Sequence, residues 1–317
     1  MTALDATASD LRVISRTPAA DGVVLLELGT VDGTPLPSWL PGSHVDVILP
    51  SGDARQYSLC GEPGAATWRI GVLREADGRG GSLWLSDTVI AGDIVRVAGP
   101  RNHFEFVPER GTRYVFIAGG IGITPLRRML DAAAAGGVDY ELHYAGRSRA
   151  TMALLDEVLD AHPGRVTVYA ADEGARLDLA ALYGDMAPFT TTYCCGPARL
   201  IAAVEAAAVG RQVKVERFEP IQFGEPVWAE PFEIELAFSG ETLVVPPERS
   251  VLDVLEENGT LVLSSCREGT CGTCETRVME GEIEHRDSIL SPDQQAANDV
   301  FYPCVSRASC PRLVLEL

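Results

Sequence analysis

The chain has 317 residues, 46% of them hydrophobic, and a formal net charge of −19. This length and composition favour two or three globular domains. The acidic excess excludes nucleic acid and anionic membrane surfaces as partners, and no apolar run approaches the roughly 20 residues that a bilayer-spanning helix needs.

The first ten residues, Met1 to Asp10, carry two aspartates and no lysine or arginine, so neither a secretory nor a transit signal is expected. Residues 1–107 are predicted to be all-β. Val23–Leu28 and His44–Leu49 have strand patterning, and Pro41-Gly42, Pro63-Gly64, Gly92-Asp93 and Gly99-Pro100 punctuate them at the intervals of a small antiparallel barrel. Two stretches inside it have the make-up of a site. In Arg55-Gln56-Tyr57-Ser58, an arginine and a tyrosine at i and i+2 share one face of a strand, where one can clamp a phosphate and the other stack on a flat heterocycle. In Gly78-Arg79-Gly80-Gly81-Ser82, glycines lead into a short helix, offering free N–H groups to an anion, with Ser82 expected as N-cap or phosphate donor. An ordinary surface arginine and a plain loop are the alternatives for each stretch alone. Their closeness favours a phosphorylated planar cofactor.

The pattern changes over residues 108–222. Tyr114–Ala118 is an apolar strand, Gly119-Gly120-Ile121-Gly122-Ile123-Thr124-Pro125 follows at once, and a helix is predicted from Leu126. Strand, glycine loop and helix form the dinucleotide-binding arrangement, although the loop departs from G-x-G-x-x-G. Strands at 140–144, 165–169 and 191–195 alternate with helices at 152–161 and 198–208, which predicts a doubly wound parallel sheet. Ligands bind beyond the carboxyl ends of such strands, which places Gly119, Gly120, Gly122, Thr124, Gly146, Asp172 and Cys195-Gly196-Pro197 on one rim. A buried small residue is the alternative for Cys195, and a turn or N-cap residue for Asp172.

Residues 223–317 hold the rest. The stretch 219–231 contains three prolines and no periodicity and reads as a semi-rigid linker. A hairpin over 232–245, a helix capped by Ser250, and strands at 275–279 and 312–317 predict a compact α+β module. Inside it lies Cys266-x4-Cys271-x2-Cys274, and Cys304 follows with 29 residues between. This is the plant-type [2Fe-2S] ligand spacing: two irons and two sulfides need four converging thiolates, and the small residues Gly269, Thr270, Gly272 and Thr273 let backbone N–H groups turn toward the sulfurs. A zinc site would call for a second C-x2-C or ligating histidines. A disulfide framework does not fit the reducing cytoplasm that free thiols and an oxygen-sensitive cluster imply.

Taken together, these residues resemble the phthalate dioxygenase reductase family, with which the vanillate demethylase reductases belong. Arg55-Gln56-Tyr57-Ser58 is similar to the flavin signature of ferredoxin-reductase-like enzymes. The Gly119–Pro125 loop and the Cys195-Gly196-Pro197 turn are similar to their nicotinamide signatures, and the four cysteines resemble those of a plant-type ferredoxin with its β-grasp fold. The resemblance spans essentially the whole chain. It implies FMN, NADH (with NADPH as the alternative) and a [2Fe-2S] cluster. It implies that Arg55 and Gly80-Gly81-Ser82 hold the flavin phosphate, that Tyr57 stacks on the ring, with Gln56 beside it in the signature, and that Ser58 sits near the reacting nitrogen. Thr124 would lie by both rings, Gly119, Gly120 and Gly122 by the pyrophosphate, Asp172 by a ribose hydroxyl, and Cys195 by the nicotinamide. Phe218 resembles an aromatic at the end of that domain. The implied activity is an NADH-dependent reductase that passes electrons through FMN and the cluster to a terminal Rieske-type oxygenase acting on aromatic or other small organic substrates, docked transiently by charge. A cytochrome P450 is the alternative acceptor. A redox sensor or a plain flavin reductase accounts for fewer of the motifs.

Overall fold

In the computed structural model, residues 8–317 are described, and they divide after Arg217. The first unit, 8–217, holds both the barrel and the parallel sheet; the second begins at Phe218, five residues before the linker boundary drawn from composition.

The barrel strands are β1 (Ser9–Ala20), β2 (Val23–Thr30), β3 (Ser43–Ile48), β4 (Ala54–Ser58), β5 (Trp68–Leu73) and β6 (Ile94–Asn102), hydrogen-bonded in the order β4-β3-β6-β1-β2-β5. A bridge between Leu59 and Ile70 draws the two ends together. Alternation along these strands sends Leu11, Val13, Leu26, Val45, Val47 and Ile70 into the barrel interior. Between β5 and β6, Gly81–Leu83 forms a single helical turn, α1, and Trp84–Thr88 continues it in a wider helical winding.

A parallel sheet follows: β7 (Arg113–Gly119), α2 (Ile123–Ala135), β8 (Asp139–Gly146), α3 (Leu155–Ala161), β9 (Val166–Ala170), α4 (Leu179–Gly184), β10 (Thr190–Cys195), α5 (Ala198–Ala207) and β11 (Gln212–Glu216). Its order, β11-β10-β7-β8-β9, reverses between β7 and β10, the switch point where such sheets bind ligands. Sequence patterning missed α4 and β11 and drew α3 too long. Residues 149–151 form a separate short turn, and Leu154 takes a left-handed conformation before the helix starts. The barrel and the sheet share one apolar core, in which Val23, Leu25 and Cys60 pack with Phe104, Phe116, Leu126 and Met129. Arg69 reinforces the seam with a two-pronged contact to Glu157 (3.0 and 2.8 Å), as does Arg128, which reaches the Cys60 carbonyl (3.1 Å) and Glu62 (2.8 Å).

The second unit contains β12 (Phe232–Leu236), β13 (Glu241–Val245), α6 (Val251–Glu257), β14 (Thr276–Glu280), β15 (Ile283–Glu284), α7 (Pro292–Ala297), β16 (Val300–Phe301), β17 (Arg307–Ala308) and β18 (Arg312–Leu315). The main sheet runs β13-β12-β18-β14-β16, with β12 and β18 parallel, and α6 packs Val251, Leu252 and Leu255 into the same core as Phe232, Ile234 and Leu313. Ser250 caps α6 as expected, accepting the Asp253 N–H at 3.0 Å. Among the described residues no helix is long and apolar enough to cross a membrane.

Candidate functional site

In the barrel, β4 lies against β3 with Arg55 opposite Val47, Tyr57 opposite Val45 and Ser58 opposite His44. Arg55 leans over the Arg79–Gly81 turn: its Nη2 reaches the Arg79 carbonyl at 3.5 Å, and a Cβ on Gly81 would come within 2.8 Å of Arg55 Cγ. The two stretches singled out separately in the sequence therefore meet, and Gly81 is a glycine because the arginine occupies the space a side chain would need. Ser82 is not the N-cap. Gly80 holds that place at φ 83°, a left-handed value that favours glycine, while Ser82 Oγ accepts the Glu75 N–H at 3.2 Å. Tyr57 packs against the barrel core, and burial raises its hydroxyl above the usual range. Gln56 spends its side-chain amide on Asp46, which also pairs with Arg101. Ser58 is 4% exposed and its hydroxyl has no partner. An arginine against a glycine turn, with a buried orphan hydroxyl three residues along the same strand, fits a flavin.

On the rim of the parallel sheet the glycines divide into two kinds. A Cβ on Gly122 would fall 2.3 Å from the Cys195 carbonyl, and one on Gly119 would fall 2.7 Å from Pro197 Cδ. These two interlock the ends of β7 and β10 and do not line open space. Gly120, at φ 54° with nothing within 4 Å of a Cβ, is the one loop glycine that leaves room for a ligand to approach the backbone. Thr124 is 2% exposed, and its hydroxyl donates to the Ile121 carbonyl at 3.0 Å. A Cβ on Gly71 of β5 would come 2.9 Å from Thr124 Cγ2, so this threonine holds the loop against the barrel. Asp172 sits exposed after β9, its N–H donating to the Arg147 carbonyl at 3.0 Å, and Arg149 pairs with Glu173 at 2.8 Å.

Cys195 is wholly buried at the end of β10, in register with Glu216 at the end of β11. Its sulfur lies 3.9 Å from Glu216 Oε2. Burial pushes the Glu216 carboxyl up to about 8, and burial followed by the Glu216 charge pushes the Cys195 thiol well above its ordinary value. Sequence reasoning passed over Glu216, whose one signal is its place as the last residue of a strand ending on the ligand rim. Phe218 is 43% exposed and opens the second unit.

In the second unit the four expected ligand cysteines are buried and come together: Cys266 lies against Cys271 and Cys304, and Cys304 against Cys274. Hydrogen bonds from Cys271 and Cys304 hold the Cys266 thiol below its ordinary range, while Cys271 and Cys304 are pushed up. The Glu268 and Thr270 N–H groups point at Cys266 Sγ (3.3 and 3.4 Å), and the Thr273 hydroxyl lies 3.2 Å from Cys271 Sγ. The wrap needs left-handed residues at Arg267, Gly269 and Gly272 (φ 58°, 69° and 73°). Arg267 is held in that conformation by Asp253 and Glu256 of α6. Four buried thiols with inward N–H donors fit a [2Fe-2S] cluster.

Residues 234–309 match the 2Fe-2S iron-sulfur cluster binding domain, and residues 116–206 match the oxidoreductase NAD-binding domain. With the Arg55 and Ser58 strand of the barrel, these define a pyridine-nucleotide-dependent flavin and iron–sulfur oxidoreductase. The reductase subunit of phthalate 4,5-dioxygenase from Pseudomonas putida is 38% identical over 99% of this chain and 98% of its own length. The carnitine monooxygenase reductase subunit of Escherichia coli K12 is 38% identical over 97% and 98%. The crystal structure of phthalate dioxygenase reductase, described as a modular structure for electron transfer from pyridine nucleotides to [2Fe-2S], covers the whole of both chains at 33% identity and a TM-score of 0.70. An intact type IV self-sufficient cytochrome P450 monooxygenase matches 99% of this chain at 40% identity and a TM-score of 0.92, and this chain spans 41% of it. The chain belongs to the phthalate dioxygenase reductase family, with that family's cofactors FMN, NADH and a [2Fe-2S] cluster.

Proposed function

We propose that this chain is the reductase of a two-component Rieske-type oxygenase acting on an aromatic or other small organic substrate. The four converging thiols carry the reading, because a one-electron centre appended to a nicotinamide and flavin unit has no use in a plain flavin reductase. When bound, the nicotinamide supplies a hydride, the flavin splits the electron pair, and the cluster carries single electrons onward. The residues of the chain bind and orient. Arg55 with Gly80, Gly81 and Ser82 takes the flavin phosphate, Tyr57 covers the ring, and the unpartnered Ser58 hydroxyl supplies a hydrogen bond at its edge. Gly120 and Asp172 meet the dinucleotide, while Gly119, Gly122, Thr124, Gly196 and Pro197 shape the cleft. Cys195 and Glu216 close it side by side. Cys266, Cys271, Cys274 and Cys304 take the irons. Docking is transient and helped by the acidic field of the chain, and an oxygen-sensitive cluster with the four cysteines outside its ligand set unbridged suits a reducing cytoplasm.

A visible spectrum taken anaerobically before and after one equivalent of NADH tests the path. Flavin and broad iron–sulfur absorbance should both bleach. Flavin absorbance alone, in material kept free of oxygen, would reduce the protein to a flavin reductase. The match to 41% of a self-sufficient P450 monooxygenase supports a second reading, in which the acceptor is a P450 haem. Coupled turnover with a Rieske component but not with a P450 decides for the first.

A further inference from the structure

The proline-rich stretch after Arg217 is not a free linker along its length. The Ile221 N–H donates to Ser288 Oγ at 3.1 Å, and the Val227 N–H donates to Glu284 Oε2 at 2.9 Å. Arg286 Nη2 donates to the Gly224 carbonyl at 2.6 Å, the Arg286 guanidinium lies 5.2 Å from the Phe223 ring centroid, and Glu284 steadies it at 2.9 Å. The same short segment holds the cluster loop. The Ser288 N–H donates to the Gly269 carbonyl at 2.8 Å, and a Cβ on Gly269 would come 3.1 Å from Asp287 Cα. Asp287, 1% exposed, accepts the Ile289 and Leu290 N–H groups at 2.9 and 2.8 Å, which fixes the turn. Glu284–Ser288 thus fastens both the chain arriving from the first unit and the loop carrying three of the four cysteines.

We infer that Arg286 and Ser288 are positioning residues for electron entry into the cluster: by strapping Ile221–Gly224 onto the ferredoxin unit, they shorten the tether to residues 218–220. The inference rests on the electron path proposed above. Effective concentration between tethered partners falls roughly as the −3/2 power of the free length. Removing these contacts, with Glu284 still holding Val227, lengthens the tether from three residues, 218–220, to nine, 218–226, so encounters become about fivefold rarer.

The test uses the holoprotein and three variants: Arg286→Gln combined with Ser288→Ala, Ser288→Thr alone, and a Gly-Ser insertion of matching length between Pro220 and Ile221. Amide hydrogen exchange at 221–227 reads the strap directly. Stopped-flow mixing with NADH reads flavin bleaching and cluster bleaching separately. In the double variant, exchange at Ile221 should rise, flavin bleaching should keep its rate, and cluster bleaching should slow about fivefold. The insertion should slow cluster bleaching equally with exchange at Ile221 unchanged, and Ser288→Thr, which keeps the acceptor, should behave as the parent. Unchanged exchange in the double variant, or cluster bleaching at the parental rate in both it and the insertion, overturns the inference. Should the double variant lose its cluster, the insertion decides alone. A parent whose flavin bleaches while its cluster does not would overturn the electron path, a result distinct from the exchange result on the strap.

Discussion

Burial at the end of β11 changes the chemistry of Glu216. A carboxyl raised to about 8 holds a proton in the folded chain at pH values where an unfolded chain has lost it. Between the ordinary carboxylate value and about 8, folding is therefore favoured by acid, and stability should fall as pH rises, by up to about 1.4 kcal/mol per pH unit for the one proton involved. Glu216→Gln should remove that slope in denaturant titrations run from pH 5 to 9. It should also flatten the pH profile of NADH-driven flavin reduction, because no charge then appears beside Cys195. An unchanged profile would mean that Glu216 does not titrate in this range. Cys304 makes a cleaner case. It is the ligand supplied from outside the loop, so Cys304→Ser should abolish cytochrome c reduction while largely sparing direct reduction of the flavin by NADH. Equal survival of both activities would remove the cluster from the path.

At the scale of elements, the ligand loop is a structure that only certain residues can make. Gly269 combines a φ of 69° with no room for a Cβ, which would meet Val305 Cγ2 at 2.5 Å. Gly269→Ala should therefore lose most of the iron–sulfur absorbance while the flavin unit keeps its NADH-dependent bleaching, read on the same sample. Helix α6 supports this loop through Asp253 and Glu256, which hold Arg267, and Ser250→Ala should cost about 1 kcal/mol in the unfolding of the ferredoxin unit. The loop was legible in the sequence because cluster chemistry dictates both the cysteine spacing and the small residues. Part of the first unit was legible too: Arg55 and the Arg79–Gly81 turn, singled out separately in the sequence, are found against each other. What stayed hidden was set by partners distant in the chain. Ser82 reads as a cap, yet Gly80 takes the place because the turn needs a left-handed backbone. Gly119 and Gly122 read as pyrophosphate glycines, yet the turn after β10 fills their space. Strand β11, Gln212-Val213-Lys214-Val215-Glu216, does alternate polar and apolar residues, but over five residues only and on a sheet edge; it was passed over, and with it went Glu216.

Over the whole molecule, charge is the property that remains once local pairs are counted. From 231 to 317 there are 16 acidic residues and six basic ones. Several of the basic ones are spent close by: Arg267 on Asp253 and Glu256, Arg249 on Glu257, Arg286 on Glu284, Arg312 on Glu235. The acids of α6 nearest in sequence to the cluster loop are thus largely neutralised, and Leu261 and Leu263, 80% and 46% exposed, stand just before Cys266. A partner meeting this loop would touch apolar side chains, while the unpaired acids elsewhere supply a field that acts during approach. Such a field is screened over about 8 Å at physiological salt, so it changes the rate of encounter more than the contact once made. The expected outcome depends on the charge of the acceptor. Reduction of the basic protein cytochrome c should slow by about an order of magnitude between low and high salt. Reduction of ferricyanide, a small anion repelled by the same field, should hold steady or quicken. If both rates fell together, salt would be acting on the protein itself and not on the encounter. If neither moved, the net charge of −19 would have no part in choosing the partner, and the apolar contact would have to account for it alone.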